Sequence, residues 1–243
     1  MQDRSRNYWS ASLLILLIAS DLSFIGLGIL YSWGYANADA FSLGAERGYS
    51  EMYQYIKLFW VSFLLSWFAW EKREAVYVVG ALLFLYFLLD DSFAIHETAG
   101  GFMVGMFELE PAFGLRGQDY GELGTSALVG GFFLVVGWWA YRHSGSLARR
   151  IGLFLLMGVC MLALFGVGMD VAHQFFGAQL SWTKAVMGVL EDGGELIVVS
   201  AICWFVYSLA NQELSPLRIP SPVQAHKISP SGQFRKEQSA SGG

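Results

Sequence analysis

Apolar residues along this chain collect into six long runs rather than into the short amphipathic faces of a soluble fold. The runs cover about 10–33, 53–70, 75–97, 125–141, 151–173 and 185–209. Each approaches the ~20 residues that a helix needs to cross a hydrocarbon core ~30 Å thick. A helix satisfies its own backbone hydrogen bonds inside lipid, so the pattern predicts an all-α polytopic membrane bundle of six transmembrane helices. The first run begins at Ser10 and is followed by small residues at Ala36 to Ala40. It exceeds the ~7–15 apolar residues of a signal peptide, and it is therefore read as a span. The second run is short in strongly apolar residues and carries Trp60, Trp67 and Trp70, which suit an interfacial belt.

Composition agrees with this pattern. Hydrophobic residues make up 55% of the 243 and charged residues only 14%, against roughly 25% charged in soluble domains. An ordinary soluble enzyme and a disordered chain are excluded. The net charge of -5 provides no basic surface for nucleic acid. Cys160 and Cys203 lie inside apolar runs and read as small buried hydrophobes. Of the 15 Lys and Arg, only Arg47, Lys57, Arg116 and Lys184 are assigned to the odd-numbered connections. The others, including Arg4, Arg6, Lys72, Arg73, Arg142, Arg149 and Arg150, fall at the termini and the even-numbered connections. The positive-inside rule then places both termini in the cytoplasm of a cell bounded by this membrane, the inner (plasma) membrane. Residues 1–210 form the transmembrane domain, and the Ser-, Pro- and Gly-rich stretch 211–243 is expected to be a disordered cytoplasmic tail. The Gly-rich outer segment 98–124 is expected to lie flat on the membrane or to fold over its outer face.

Ionisable residues inside the spans carry the chemical signal. Asp21, Asp90, Asp91, Glu97, Asp170, Glu191, Asp192 and Glu195 fall within or at the ends of the runs, together with His96 and His173. A charge at the bilayer centre costs about 3 kcal/mol on insertion scales, so such groups pair, bind ions or face water. In the third run Asp90 and Glu97 are seven apart, which puts them on one helix face, and His96 projects round from them. In the fifth run Asp170 and His173 are three apart, and in the sixth Glu191 and Glu195 are four apart. Gly193 and Gly194 allow a close approach to that last pair. At 1.5 Å per residue, all three motifs lie about 20–30 Å from the cytoplasmic ends of their helices. Asp21 reaches the lower edge of the same layer, while Asp91 and Asp192 point off the shared faces.

Carboxylates with one or two imidazoles suit iron, manganese or zinc. The set predicts a site for one or two divalent ions built from Asp90, His96, Glu97, Asp170, His173, Glu191 and Glu195. In chemistry alone this is similar to the carboxylate sites of ferritin-like di-metal bundles. The His-x-x-x-His pair of the ceramidase and adiponectin-receptor zinc hydrolases is missing. The leading expectation is a metalloprotein with its site in the outer third of the bilayer, facing the periplasm. It would act as a hydrolase or oxidase on a lipid or other apolar molecule, with Glu195 or Asp90 as base. One alternative is a proton- or cation-coupled transporter or channel using the same acidic cluster. The other is a non-catalytic subunit of a membrane complex or oligomer. Lipid is the expected partner in each case, and nucleic acid in none.

Overall fold

The computed structural model describes residues 2–35, 37–112, 115–168 and 181–213. Within them the chain folds into α1 (Gln2–Ser32), α2 (Tyr49–Lys72), α3 (Ala75–Phe93), α4 (Ile95–Phe107), α5 (Gly117–His143), α6 (Ser146–Ala163) and α7 (Ser181–Glu213). A 3-10 turn, Asp39–Phe41, lies between α1 and α2, and a π-helical turn, Leu164–Gly168, continues α6. No strand occurs among the described residues, only an isolated bridge between Ala112 and Leu115. Five stretches are long and apolar enough to cross a membrane: Ser10–Ser32, Ala75–Phe93, Gly117–His143, Ser146–Gly166 and Val186–Gln212. Large apolar side chains are exposed around the bundle, among them Ile15, Phe63, Leu134, Trp138 and Met157. A contiguous apolar surface of this kind suits lipid rather than water.

The sixth long helix, α2, is not one of those five and carries Glu51, Lys57, Glu71 and Lys72. It is nevertheless the centre of the bundle, packing against both α3 and α7. Its buried stripe runs Leu58, Val61, Leu65, Phe68, at helical spacing. The facing stripe on α7 runs Leu196, Val199, Cys203, Val206, Ala210. Phe84 of α3, Leu17 of α1 and Ile151 of α6 complete the core. Lipid is as apolar as this core, so close packing and polar cross-links must hold the helices together. One such link closes the bundle end that carries Lys72, Arg73, Arg142, Arg149 and Arg150. There the Gly145 amide donates to Glu74 Oε2 (3.0 Å) and the Val76 amide to Ser144 Oγ (3.2 Å), joining the α2–α3 turn to the α5–α6 turn.

Three sequence expectations change. The third run is two helices rather than one over 75–97: α3 ends at Phe93 and Ala94 takes a left-handed conformation (φ 49°) before α4 starts. Lys57, assigned by sequence to an outer connection, lies inside α2 and is fully buried. Cys160 is exposed on the bundle surface, whereas Cys203 is buried as expected. The segment 98–124 is a hairpin in which α4 packs along the first turns of α5. The expected tail beyond Glu213 lies outside the described residues, as do Asp170 and His173.

The α4–α5 hairpin depends on backbone approach at Gly100 and Gly121. A Cβ on Gly100 would meet the Glu122 amide at 2.8 Å, and one on Gly121 would run into the Gly100 carbonyl. Gly130, further along α5, has nothing within 4 Å of its Cβ position. Gly121→Ala should therefore destabilise by about 1–3 kcal/mol through overpacking. Gly130→Ala should be neutral or stabilise by up to ~1 kcal/mol through helix propensity. Reversible unfolding in detergent micelles measures both, and equal effects would contradict this packing.

Candidate functional site: an acidic cavity above a buried ion pair

Polar residues enter the core of α2 at Glu51, Gln54 and Lys57, three apart, each step rising about 4.5 Å along the axis. The first two face a cavity of about 190 Å³ at the bundle end opposite Arg73 and Arg142. It is lined by residues 43–46 of the α1–α2 connection, Ser50, Glu51 and Gln54 of α2, Asp91 of α3, and Asp192, Glu195 and Leu196 of α7. Carboxylates thus arrive from three helices and, at Glu46, from a connecting loop. Gln54 Nε2 donates to Glu195 Oε2 (3.3 Å), joining α2 to α7 across the cavity. The Tyr55 hydroxyl donates to Glu51 Oε1 (2.6 Å) and lies 3.1 Å from the Asp91 carbonyl, which ties α2 to the end of α3. Gly44 leaves room for Asp192, whose Oδ2 lies 3.3 Å from where a Cβ would stand.

One helical step below Gln54, Lys57 is 0% exposed. Its ammonium donates to Asp21 Oδ1 of α1 (2.9 Å), to the Leu196 carbonyl (2.8 Å) and to Ser200 Oγ (3.0 Å). An ammonium has three protons, and these three acceptors use them all. The Tyr53 ring lies 4.5 Å from the nitrogen and adds a cation–π contact. Asp21 is also 0% exposed, and its Oδ2 has no hydrogen-bond partner among the described residues. Beyond Lys57 the α2 stripe is apolar except for Ser62, whose hydroxyl is taken by the Ala81 carbonyl (2.9 Å). The polar column therefore opens at one end and stops part-way through the bundle.

The sequence-selected residues divide between two places. Glu195 lines the cavity, but beside Asp91 and Asp192, the two carboxylates that periodicity had pointed away. The break at Ala94 is the reason on α3, because it removes the continuous face from Asp90 to Glu97. Asp90 instead turns to α4: its Oδ1 accepts the His96 amide (2.8 Å) and its Oδ2 pairs with His96 Nδ1 (3.1 Å). The Glu97 carbonyl accepts from Gln118 of α5 (2.9 Å), while its side chain is exposed. Glu191 sits half-buried on α7, one residue before Asp192. Among the described residues no three His, Cys, Asp or Glu side chains are gathered as a metal site. Glu51, Gln54 and Lys57 were missed as site residues. The available signal was their spacing on the same stripe as Leu58, Val61 and Leu65, which marks Lys57 as a core position.

His96, in α4 beyond the end of the span Ala75–Phe93, gives a pH test. The hydrogen bond that the His96 imidazolium donates to Asp90 holds its pKa above the ordinary value of 6.5, with partial burial opposing it. A value raised on folding contributes stability that is fully present below ~6.5 and is lost as pH rises through the folded value. In an NMR titration of histidine-labelled protein, with the signal assigned through His96→Gln, the midpoint should lie above 6.5. It should fall in Asp90→Asn. An unchanged midpoint would contradict the pairing.

Comparison with known families covers nearly all of this architecture. No curated protein and no solved structure matches the chain. The model of a family described as a domain of unknown function, DUF8692, matches residues 11–210, a stretch that contains Asp21, Lys57 and every carboxylate of the cavity. The chain belongs to the DUF8692 family.

Proposed function

We propose that this protein is a six-span protein of the plasma membrane with both termini cytoplasmic. Its acidic cavity loads protons or a hydrated cation from the opposite side and serves as the coupling site of a transporter or channel. The sixth span is α2: its 24 residues extend about 36 Å, and its Lys57 meets Asp21 rather than lipid. The carrying observation is the cavity lining. Glu46, Glu51, Asp91, Asp192 and Glu195 face one volume with no Lys, Arg or His among its described lining residues. Like charges so placed repel one another unless protons or cations offset them. A volume of about 190 Å³ holds several waters at ~30 Å³ each, so a cation can enter without shedding its full hydration shell. Intramembrane carboxylates with one-sided water access are the usual parts of proton and ion pathways.

The metal-dependent hydrolase or oxidase acting on a lipid remains a second reading, with Glu195 or Asp90 as base. It requires the imidazole of His173 beside Asp170, both outside the described residues. The side chains of the described lining supply oxygen donors, a set that suits magnesium, calcium or manganese better than zinc.

The transporter reading predicts how stability responds to cavity charge. Millimolar Mg²⁺ and mild acidification should each raise the melting temperature of the purified protein, because each relieves repulsion in the cavity. Asp192→Asn/Glu195→Gln removes two of the charges and should melt higher than wild type in the absence of Mg²⁺. It should also respond less to Mg²⁺. By mass action, wild type should gain ~2.7 kcal/mol when Mg²⁺ reaches 100 times its dissociation constant. A wild-type melting curve indifferent to both Mg²⁺ and pH would overturn the reading.

A further inference from the structure

At the bundle end opposite the cavity, the α5–α6 turn carries two arginines stacked on a shared pair of rings. The Arg142 guanidinium lies 4.6 Å from the centre of the Trp138 ring, and that of Arg149 lies 5.6 Å from the centre of Tyr141. The two rings are nearly parallel, at 12°, with centroids 6.1 Å apart. One guanidinium from each side of the turn is thus held by aromatic faces. Arg149 also donates to the Ser144 carbonyl (2.7 Å) and to the Arg142 carbonyl (3.4 Å), which engages two of its five N–H donors. A guanidinium stacked on a ring keeps its remaining in-plane N–H groups directed outward, in the fork that matches two oxygens of a phosphate. Among the described residues no carboxylate pairs with Arg142, Arg149 or Arg150. Glu74, the acid beside the turn, accepts from the Gly145 amide instead.

We propose that the α5–α6 turn binds an anionic phospholipid, with the phosphate on Arg142 and Arg149 and the acyl chains between α5 and α6. The proposal goes beyond the transport reading and does not depend on what the cavity takes up. Three observations select this occupant. The first is charge: Arg150 follows Arg149 in the first turn of α6, and Lys72 and Arg73 close α2 at the same end. The Gly145–Glu74 and Val76–Ser144 hydrogen bonds bring the two turns together, so one net-negative headgroup meets both basic groups. Basic pockets of this kind between membrane helices suit anionic headgroups. The second is position, because Trp138 and Trp139 are exposed at this end, where aromatic rings mark the headgroup level. The third is the packing below the turn. Both α5 and α6 pack against α3, yet they scarcely touch each other. Leu134 and Val135 of α5 and Leu153 and Met157 of α6 are exposed, an apolar surface that continues from the arginines into the hydrocarbon. Of the five spanning stretches α5 is the least buried in the bundle, and the lipid serves as its missing neighbour.

The test is thermal unfolding of the full-length protein in a neutral detergent, titrated separately with phosphatidylglycerol and phosphatidylcholine of the same acyl chains. Phosphatidylglycerol should raise the melting temperature saturably, with a midpoint well below that of phosphatidylcholine. Arg142→Gln should shift that midpoint upward by roughly tenfold, the value of a hydrogen bond to a charged group. The Arg142 side chain is exposed, so this variant should fold; Arg142→Lys keeps the charge without the fork and should fall between it and wild type. Arg4→Gln/Arg6→Gln removes two charges from the start of α1 and should leave the midpoint unchanged. Equal potency of the two lipids, or an equal loss in the Arg4/Arg6 variant, overturns the site. Stabilisation by inorganic phosphate at the concentration at which phosphatidylglycerol saturates assigns the turn to a soluble anion and overturns the lipid.

Discussion

A lysine ammonium with no solvent contact sets the terms for the rest of this bundle. Taking Lys57 and Asp21 out of water carries a desolvation cost of several kcal/mol per ion, which their mutual attraction offsets only with good geometry and further hydrogen bonds. The fold supplies both. Asp21 comes from α1, the lysine from α2, and the carbonyl and hydroxyl from Leu196 and Ser200 of α7. Three helices distant in sequence are thereby fixed in register at one depth. In a membrane, where burial of apolar surface does little to hold helices together, such a junction can specify which helix faces meet.

The cavity follows from that register. With α2 and α7 joined at Lys57, the residues one turn nearer the bundle end, Gln54 and Glu195, are brought within hydrogen-bonding distance. Tyr55 then draws in the end of α3 through Glu51 and the Asp91 carbonyl. Below the pair the same helices close on Val61, Leu65, Phe84 and Val206, each essentially without solvent contact. Charge at one end and a dry seal at the other give the cavity a single side of access.

Much of the architecture could be read from the sequence. The apolar runs locate the long helices of the described residues, and Glu195 of the sixth run lies where carboxylates gather. Two features resisted. The face assignment on the third run assumed an unbroken helix, whereas Asp90 caps the first turn of α4 and Ala94 turns the chain. A helix-ending carboxylate and a ligating one look alike in a periodicity argument, so Asp91 was set aside in favour of its neighbour. Lys57, near the start of its apolar run, was counted with the charges of the odd-numbered connections. Its partner lies 36 positions away on another helix, and no local spacing records that.

The central claim is that Asp21 and Lys57 act as one buried charge pair on which helix register depends. A double-mutant cycle on reversible unfolding in detergent micelles tests it most directly, using Asp21→Asn, Lys57→Gln and the double variant. Removing one partner leaves an uncompensated buried charge, so each single change should cost about 3–5 kcal/mol, while the double should cost far less than their sum. Additive effects of the two changes, or single changes that cost nothing, would contradict the account.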